Sequence, residues 1–87
     1  MKAKPLKLSW QERVRQVNDY HIARIRENEK HTIQQTALDL RRSYGSVSED
    51  ITLGSWIKTH PQIEKFRTQE EAIEFVRLKK RAMRLGL

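Results

Sequence analysis

The chain has 87 residues, 37% of them hydrophobic, with 18 Lys and Arg against 11 Asp and Glu and a formal net charge of +7. That length fits one small domain with one small core, and the lack of cysteine excludes disulfides, thiolate zinc sites and cysteine nucleophiles. No apolar run approaches the ~18 residues of a membrane span, and the start of the chain lacks the apolar stretch of a signal peptide. A small basic protein favours an anionic partner, with nucleic acid foremost.

The first eight residues, which include Lys2, Lys4 and Lys7, are predicted to form a basic N-terminal arm in front of a single domain over 9–87. Ser9-Trp10-Gln11-Glu12 fits a capping box, in which the Ser and Glu side chains satisfy free amides at a helix start. The residues that follow at steps of three and four predict an amphipathic helix from Trp10 to about Asn28; they are Val14, Val17, His21 and Ile25.

The middle of the chain predicts two further helices. Thr32-Ile33-Gln34-Gln35 offers a second capping box. Ser43 is placed to cap a third helix whose inward stripe is predicted to contain Val47, Ile51 and Gly54. The short connection between the two helices contains Arg41 and Arg42.

Two more helices are predicted in the last third. His60-Pro61 ends the third helix and places proline in the first turn of a short fourth one. Thr68-Gln69-Glu70-Glu71 is another capping box, and it opens a last helix. The residues expected to face inward on that helix are Ala72, Ile73, Val76 and Met83. Because no stretch alternates as a half-buried strand does, the expected fold is all-α, a small bundle of about five helices built around a helix-turn-helix.

Four apolar residues have the spacing that a helix-turn-helix requires. Ala37 permits the close crossing of two helices, and Leu40, three residues on, seals the first helix against the core. Val47 and Ile51 follow Ala37 by ten and fourteen residues and seal the second helix. The alternative is an ordinary helical hairpin that binds nothing.

The segment 32–57 resembles the helix-turn-helix of ParB/KorB-type partition proteins and related phage regulators, in which a Ser-x-x-x-Val-Ser run opens the recognition helix. Here that run is Ser43-Tyr44-Gly45-Ser46-Val47-Ser48. One departure is that such turns usually have glycine and then an apolar residue where this chain has Arg41 and Arg42. A non-glycine residue at positive φ costs roughly 1 kcal/mol.

The resemblance implies binding of double-stranded DNA, with Ser48, Glu49 and Thr52 as base contacts in the major groove. Contacts to the DNA backbone would come from polar and basic groups at the turn, at the helix ends and in the arm. They are Arg41, Arg42, Tyr44, Ser46, Lys58, Lys4 and Lys7.

Several of these assignments have plainer alternatives. Asp50 is expected to stabilise the helix dipole from a first turn, and Glu49 has that role as an equal alternative to base contact. The arm is equally well explained as a disordered solubilising tail. The basic stripe on the last helix suits either DNA or the dipole at the C-terminal end. It consists of Arg77, Lys80, Arg81 and Arg84.

No enzymatic activity, cofactor or metal is expected, because His21, His31 and His60 lack ligand spacing and no nucleophile motif is present. We expect a phage, plasmid or bacterial transcription regulator or a partition or packaging factor, acting as a homodimer on paired half-sites. The expected location is the cytoplasm, on the nucleoid, or the host cytoplasm if the protein is phage-encoded, without a membrane partner. The alternative is an adaptor that binds another protein, such as a polymerase or replication factor, through the same fold.

Overall fold

The computed structural model describes residues 9–86, which form four α-helices and one 3-10 helix. They are α1 (Trp10–Glu27), α2 (Ile33–Leu40), α3 (Tyr44–Thr59), the 3-10 helix (Pro61–Lys65) and α4 (Gln69–Arg84). No strand occurs among these residues, so the predicted all-α class is confirmed. The predicted fourth helix is a single 3-10 segment rather than an α-helix, because Pro61 opens it and extended backbone at Phe66 (φ −70°, ψ 145°) ends it five residues later.

The helix starts read from the sequence are formed. Capping boxes close at Ser9, Thr32 and Thr68, where each hydroxyl accepts from the amide three residues on and that residue's side chain accepts from the cap amide. Ser43 caps α3 by accepting from the amide of Ser46 at 3.1 Å. These caps fix where each helix begins, and therefore which residues fall on its inward face.

Two hydrophobic clusters make up the core, and α1 and α3 contribute to both. The larger cluster has six buried residues: Trp10, Val14, Leu53, Ile63, Ala72 and Val76. The indole Nε1 of Trp10 donates to the carbonyl of Phe66 at 3.1 Å, which ties the start of α1 to the segment before α4. The smaller cluster joins Val17 of α1, Ala37 of α2 and Val47 of α3.

Helices α1 and α3 approach closely where Gly54 faces Asn18. A Cβ at Gly54 would overlap the Asn18 side chain, so only glycine fits the present contact. The Asn18 amide uses this space to donate to the backbone carbonyls of Val14 at 2.9 Å and Asp50 at 2.8 Å. The glycine placed by sequence on the inward stripe of α3 is therefore needed for helix contact.

The second half of α4 is mostly exposed. Ala72 and Val76 are buried, but Met83 is 68% exposed although it falls on the same helical stripe, so the prediction that it faces inward is wrong. The helical period predicts the face on which a residue lies, but it does not predict how deeply the neighbouring elements bury that residue. Leu78 on this part of the helix and Leu85, the residue directly after it, are also more than half exposed. Within residues 9–86, no helix combines the length and apolar character needed to cross a bilayer.

Candidate nucleic-acid interface

The connection between α2 and α3 is a three-residue turn with a left-handed residue. Arg41 has φ 57° and ψ 44°, the conformation that glycine usually supplies at this position. The amide of Arg42 donates to the carbonyl of Ala37 at 3.0 Å, and the amide of Arg41 donates to that of Leu38 at 3.2 Å. This is the Schellman arrangement, which satisfies the last carbonyls of α2 and turns the chain sharply into α3.

The four apolar residues of the predicted motif meet around α1. Ala37 and Val47 are buried at 3% and 0% exposure and form a cluster with Val17. Leu40 and Ile51 pack against that cluster as half-buried neighbours. Helices α2 and α3 are thus held on α1 by the residues that the spacing selected.

The outer side of α3 forms one wall of an open groove whose other wall is α4. The α3 wall carries the three predicted base-contacting residues, Ser48, Glu49 and Thr52, together with Tyr44 and Gly45. Glu49 is exposed, whereas Ser48 and Thr52 are half-buried. The α4 wall consists of Ile73, Val76, Arg77 and Lys80.

Two cations of α4 therefore lie beside the predicted base-contacting residues. Arg77 is highly exposed, and its partner is the exposed Glu74 at 4.0 Å, a surface pair that contributes little. Lys80 is exposed as well. The sequence identified both as part of a basic stripe, but only the docking of α4 brings them to the edge of this groove.

Asp50 has a different position from the one predicted. It is the seventh residue of α3, beyond the first turn, and it is completely buried. Its Oδ2 accepts from Arg42 Nη1 at 2.8 Å and from Arg13 Nε at 3.3 Å, while Oδ1 accepts from Gln69 Nε2 at 2.8 Å. The prediction that Asp50 acts on the helix dipole is wrong, because this carboxylate is an ion-paired link between α1, the turn, α3 and α4.

This link also occupies residues that were predicted to contact phosphate. The guanidinium of Arg42 is held by Asp50 and also donates to the hydroxyl of Ser46. Gln69 donates to the Glu49 carboxylate at 3.2 Å as well as to Asp50. Arg13 and Gln69 were not identified from sequence. The available signal was Asp50 itself, a charged residue three positions from two buried apolar ones, Val47 and Leu53.

The remaining predicted backbone contacts are dispersed. Arg41 is exposed at the turn, and Tyr44 is 56% exposed at the start of α3. Lys58 lines a separate groove between α1 and α3 that also includes Arg15 and Gly54. Lys4 and Lys7 lie outside the described residues.

A second buried polar cluster holds α2 to α1. The hydroxyl of Thr36, which is completely buried, lies 2.6 Å from His21 Nδ1 and 2.7 Å from His31 Nε2. Burial, together with the neighbouring His31, lowers the pKa of His21 below its ordinary value of 6.5. A hydroxyl donates only one proton, so one ring nitrogen accepts from Thr36 while the other donates to it.

Within residues 9–86, no group of three or more His, Asp or Glu side chains is arranged to hold a metal ion. Comparisons with protein-family models, with curated proteins and with solved structures found no match to this chain. The functional argument therefore depends on the geometry of the groove and its charges.

Proposed function

We propose that this protein binds double-stranded DNA in a sequence-specific manner through α2, the turn and the N-terminal half of α3. The observation that carries the proposal is the groove that brings Ser48 and Thr52 of α3 next to Arg77 and Lys80 of α4. It combines small polar side chains, which suit base edges, with flexible cations, which suit phosphates. On this proposal the protein acts in the cytoplasm as a regulator or as a partition or packaging factor.

The two walls of the groove have different roles in this proposal. Ser48, Glu49 and Thr52 contact bases, with Glu49 accepting from a cytosine amine and the Thr52 methyl touching thymine. Arg77 and Lys80 contact phosphates of the strand that passes along α4, and the free amides at the start of α3 support a further phosphate near Tyr44. Arg42 has a structural role, because Asp50 holds its guanidinium.

One short recognition helix reads few base pairs, so we propose that the protein binds paired half-sites as a homodimer. Each subunit then supplies one groove. The operator is expected to be an inverted repeat with its half-sites about one helical turn apart.

The test begins with sequences selected from a random duplex pool, followed by affinity measurements at several salt concentrations. The variant Arg77→Ala with Lys80→Ala is compared with Arg15→Ala with Lys58→Ala, which removes the same charge from the groove between α1 and α3. We expect the first pair to weaken binding to all duplexes by roughly 10-fold or more and to lower the salt slope by about two. The second pair is expected to change affinity less than about threefold, a difference attributable to net charge.

The variant Ser48→Ala with Thr52→Ala separates base contacts from backbone contacts. Each lost base contact costs about 1–3 kcal/mol of discrimination, so selected and random duplexes should be bound more equally, while the salt slope is unchanged. If no duplex is bound even at low salt, or if the two cation pairs have equal effects, the proposal is wrong.

A second candidate is an adaptor that binds another protein through the same surface. It is favoured by the dispersal of the predicted backbone contacts, since Arg42 is ion-paired and Lys58 lies in another groove. Leu38 of α2 and Tyr44 of α3 are also 70% and 56% exposed, which suits an apolar partner surface. Absence of duplex binding, together with a partner whose binding is lost on Leu38→Ser with Tyr44→Ser, would favour the adaptor.

A further inference from the structure

The C-terminal half of α4 and its C-cap residue present apolar side chains that residues 9–86 leave exposed. Leu78 and Leu85 are 56% and 64% exposed. They are seven residues apart, and Leu85 is the C-cap of α4 with helical backbone (φ −87°, ψ −2°), so the two lie on one side of α4, two turns from each other. The buried residues Ala72 and Val76 point to a different side, and so do the groove residues Arg77 and Lys80.

The charge along α4 changes sign near Leu78. The first turns contain only acidic charges, and the rest of the helix contains only basic ones. The acidic residues are Glu70, Glu71 and Glu74, and the basic residues are Arg77, Lys79, Lys80, Arg81 and Arg84. Two such helices side by side in parallel would place like charges together, whereas in antiparallel orientation each acidic half meets a basic half.

We propose that this face of α4 binds a second copy of the chain, with the two α4 helices antiparallel and a two-fold axis close to Leu78. Leu78 then packs on Leu78 of the second copy. Glu74 and Arg81 flank Leu78 on the same side of the helix, at four residues before and three residues after it. In an antiparallel pair, Glu74 of each copy therefore lies next to Arg81 of the other, which gives two equivalent ion pairs.

This contact is compatible with the groove but does not depend on DNA binding. The dimer uses a face of α4 other than the one that carries Arg77 and Lys80, so both grooves remain open in the pair. In this arrangement Leu85 lies opposite Glu71 of the second copy, so the apolar part of the contact is Leu78 of each copy alone. The interface is therefore smaller than stable specific interfaces. Covalent trapping therefore detects the dimer more reliably than mass measurement at low concentration.

The absence of native cysteine allows a direct test by single cysteine substitution in the full chain without DNA. In the proposed dimer, Leu78→Cys places two sulfur atoms across the axis, within reach of a disulfide. In Leu85→Cys each sulfur lies seven residues from the two-fold axis. The two sulfur atoms are therefore about 21 Å apart along the direction of the helices. Met83→Cys is the control for exposure, because Met83 is 68% exposed on another side of the helix.

In a glutathione redox buffer, we expect Leu78→Cys to form a disulfide-linked dimer at least about 10-fold faster than Leu85→Cys or Met83→Cys. On the Leu78→Cys background, Glu74→Arg and Arg81→Glu should each slow the reaction several-fold, and the double reversal should restore it. Equal rates for all three cysteine variants would overturn the dimer, and fast reaction at both 78 and 85 would replace it with a parallel one. Neither result bears on whether the groove binds DNA.

Discussion

The two buried polar centres of this protein differ in charge. Asp50 is an ionised carboxylate paired with two arginines and an amide, whereas Thr36 is a neutral hydroxyl between two imidazole rings. Both residues are completely buried. Asp50 connects segments up to 37 residues apart in sequence, whereas Thr36 connects α2 to the helix and loop that directly precede it. On α3, Asp50 falls between Val47 of the smaller cluster and Leu53 of the larger one, and the neutral centre joins α2 to α1.

Because of this difference, we expect the two centres to stabilise different parts of the molecule. The Asp50 centre binds Arg42 and so reduces the positive charge available at the turn. The same centre links three helices and the turn to one another. The Thr36 centre holds only α2 and the preceding loop, but burial lowers the pKa of one of its histidines, His21. We therefore expect the first centre to control global stability and the second to control the attachment of α2.

Removal of the charged centre should have the largest effect. Asp50→Ala leaves Arg13 and Arg42 without their shared partner, and it leaves a cavity between the two clusters. We expect the free energy of unfolding to fall by about 2–4 kcal/mol, less than for fully buried arginines because both side chains retain contact with water. Denaturant unfolding followed by circular dichroism measures this loss.

The matched control is Glu49→Ala, which removes the neighbouring carboxylate on the exposed side of α3. Its expected effect is within about 0.5 kcal/mol. Equal losses for the two variants would mean that the buried ion pairs contribute no more than surface charge.

Removal of the neutral centre should have a smaller effect. Thr36→Val keeps the side-chain volume but leaves the buried ring nitrogen of His21 without its hydroxyl partner. The expected loss is about 1–3 kcal/mol of unfolding free energy, the cost of an unsatisfied buried polar group. Ser55→Ala, at an exposed hydroxyl of α3, should be nearly neutral. A neutral Thr36→Val variant would show that the two histidines do not depend on this hydroxyl.

The pH dependence should give the smallest effect and should distinguish the two centres most clearly. Burial and His31 lower the pKa of His21, so below pH 6.5 the unfolded chain takes up a proton on this ring more readily than the folded chain does. The stabilisation by neutral His21 is therefore complete above pH 6.5 and declines as the pH falls below it. Unfolding measurements should show that the free energy of unfolding declines between pH 8 and pH 5. This decline should be smaller in the His21→Asn variant and unchanged in the His60→Asn variant. An unchanged decline in His21→Asn would assign the effect to other groups.

Much of the fold follows from local signals. The caps at Ser9, Thr32, Ser43 and Thr68 are read correctly because a capping side chain acts within three residues of itself. The cluster of Ala37 and Val47 follows from spacing along two consecutive helices, α2 and α3. These features need no knowledge of how distant elements dock.

The features that sequence reasoning missed all depend on docking. The partners of Asp50 on α1 and α4 are 37 and 19 residues away, so no local pattern identifies Arg13 or Gln69. Met83 lies on the predicted stripe, but it only lines a shallow surface groove beside Trp56 and His60 and stays 68% exposed. The candidate groove shows both cases, because Ser48 and Thr52 were chosen from α3 alone while Arg77 and Lys80 join them only when α4 is in place.

The distribution of aromatic residues has a practical consequence for measuring these two centres. Trp10 belongs to the larger cluster and Trp56 packs against it, so both tryptophans report on that half of the molecule. Among the described residues, the part around Thr36 has tyrosine as its nearest fluorophore, with Tyr20 bonded to Asp39 at 2.7 Å. Detachment of α2 at mildly acidic pH would therefore leave the indole emission almost unchanged, and it would appear in the helical circular dichroism signal and in the phenol emission.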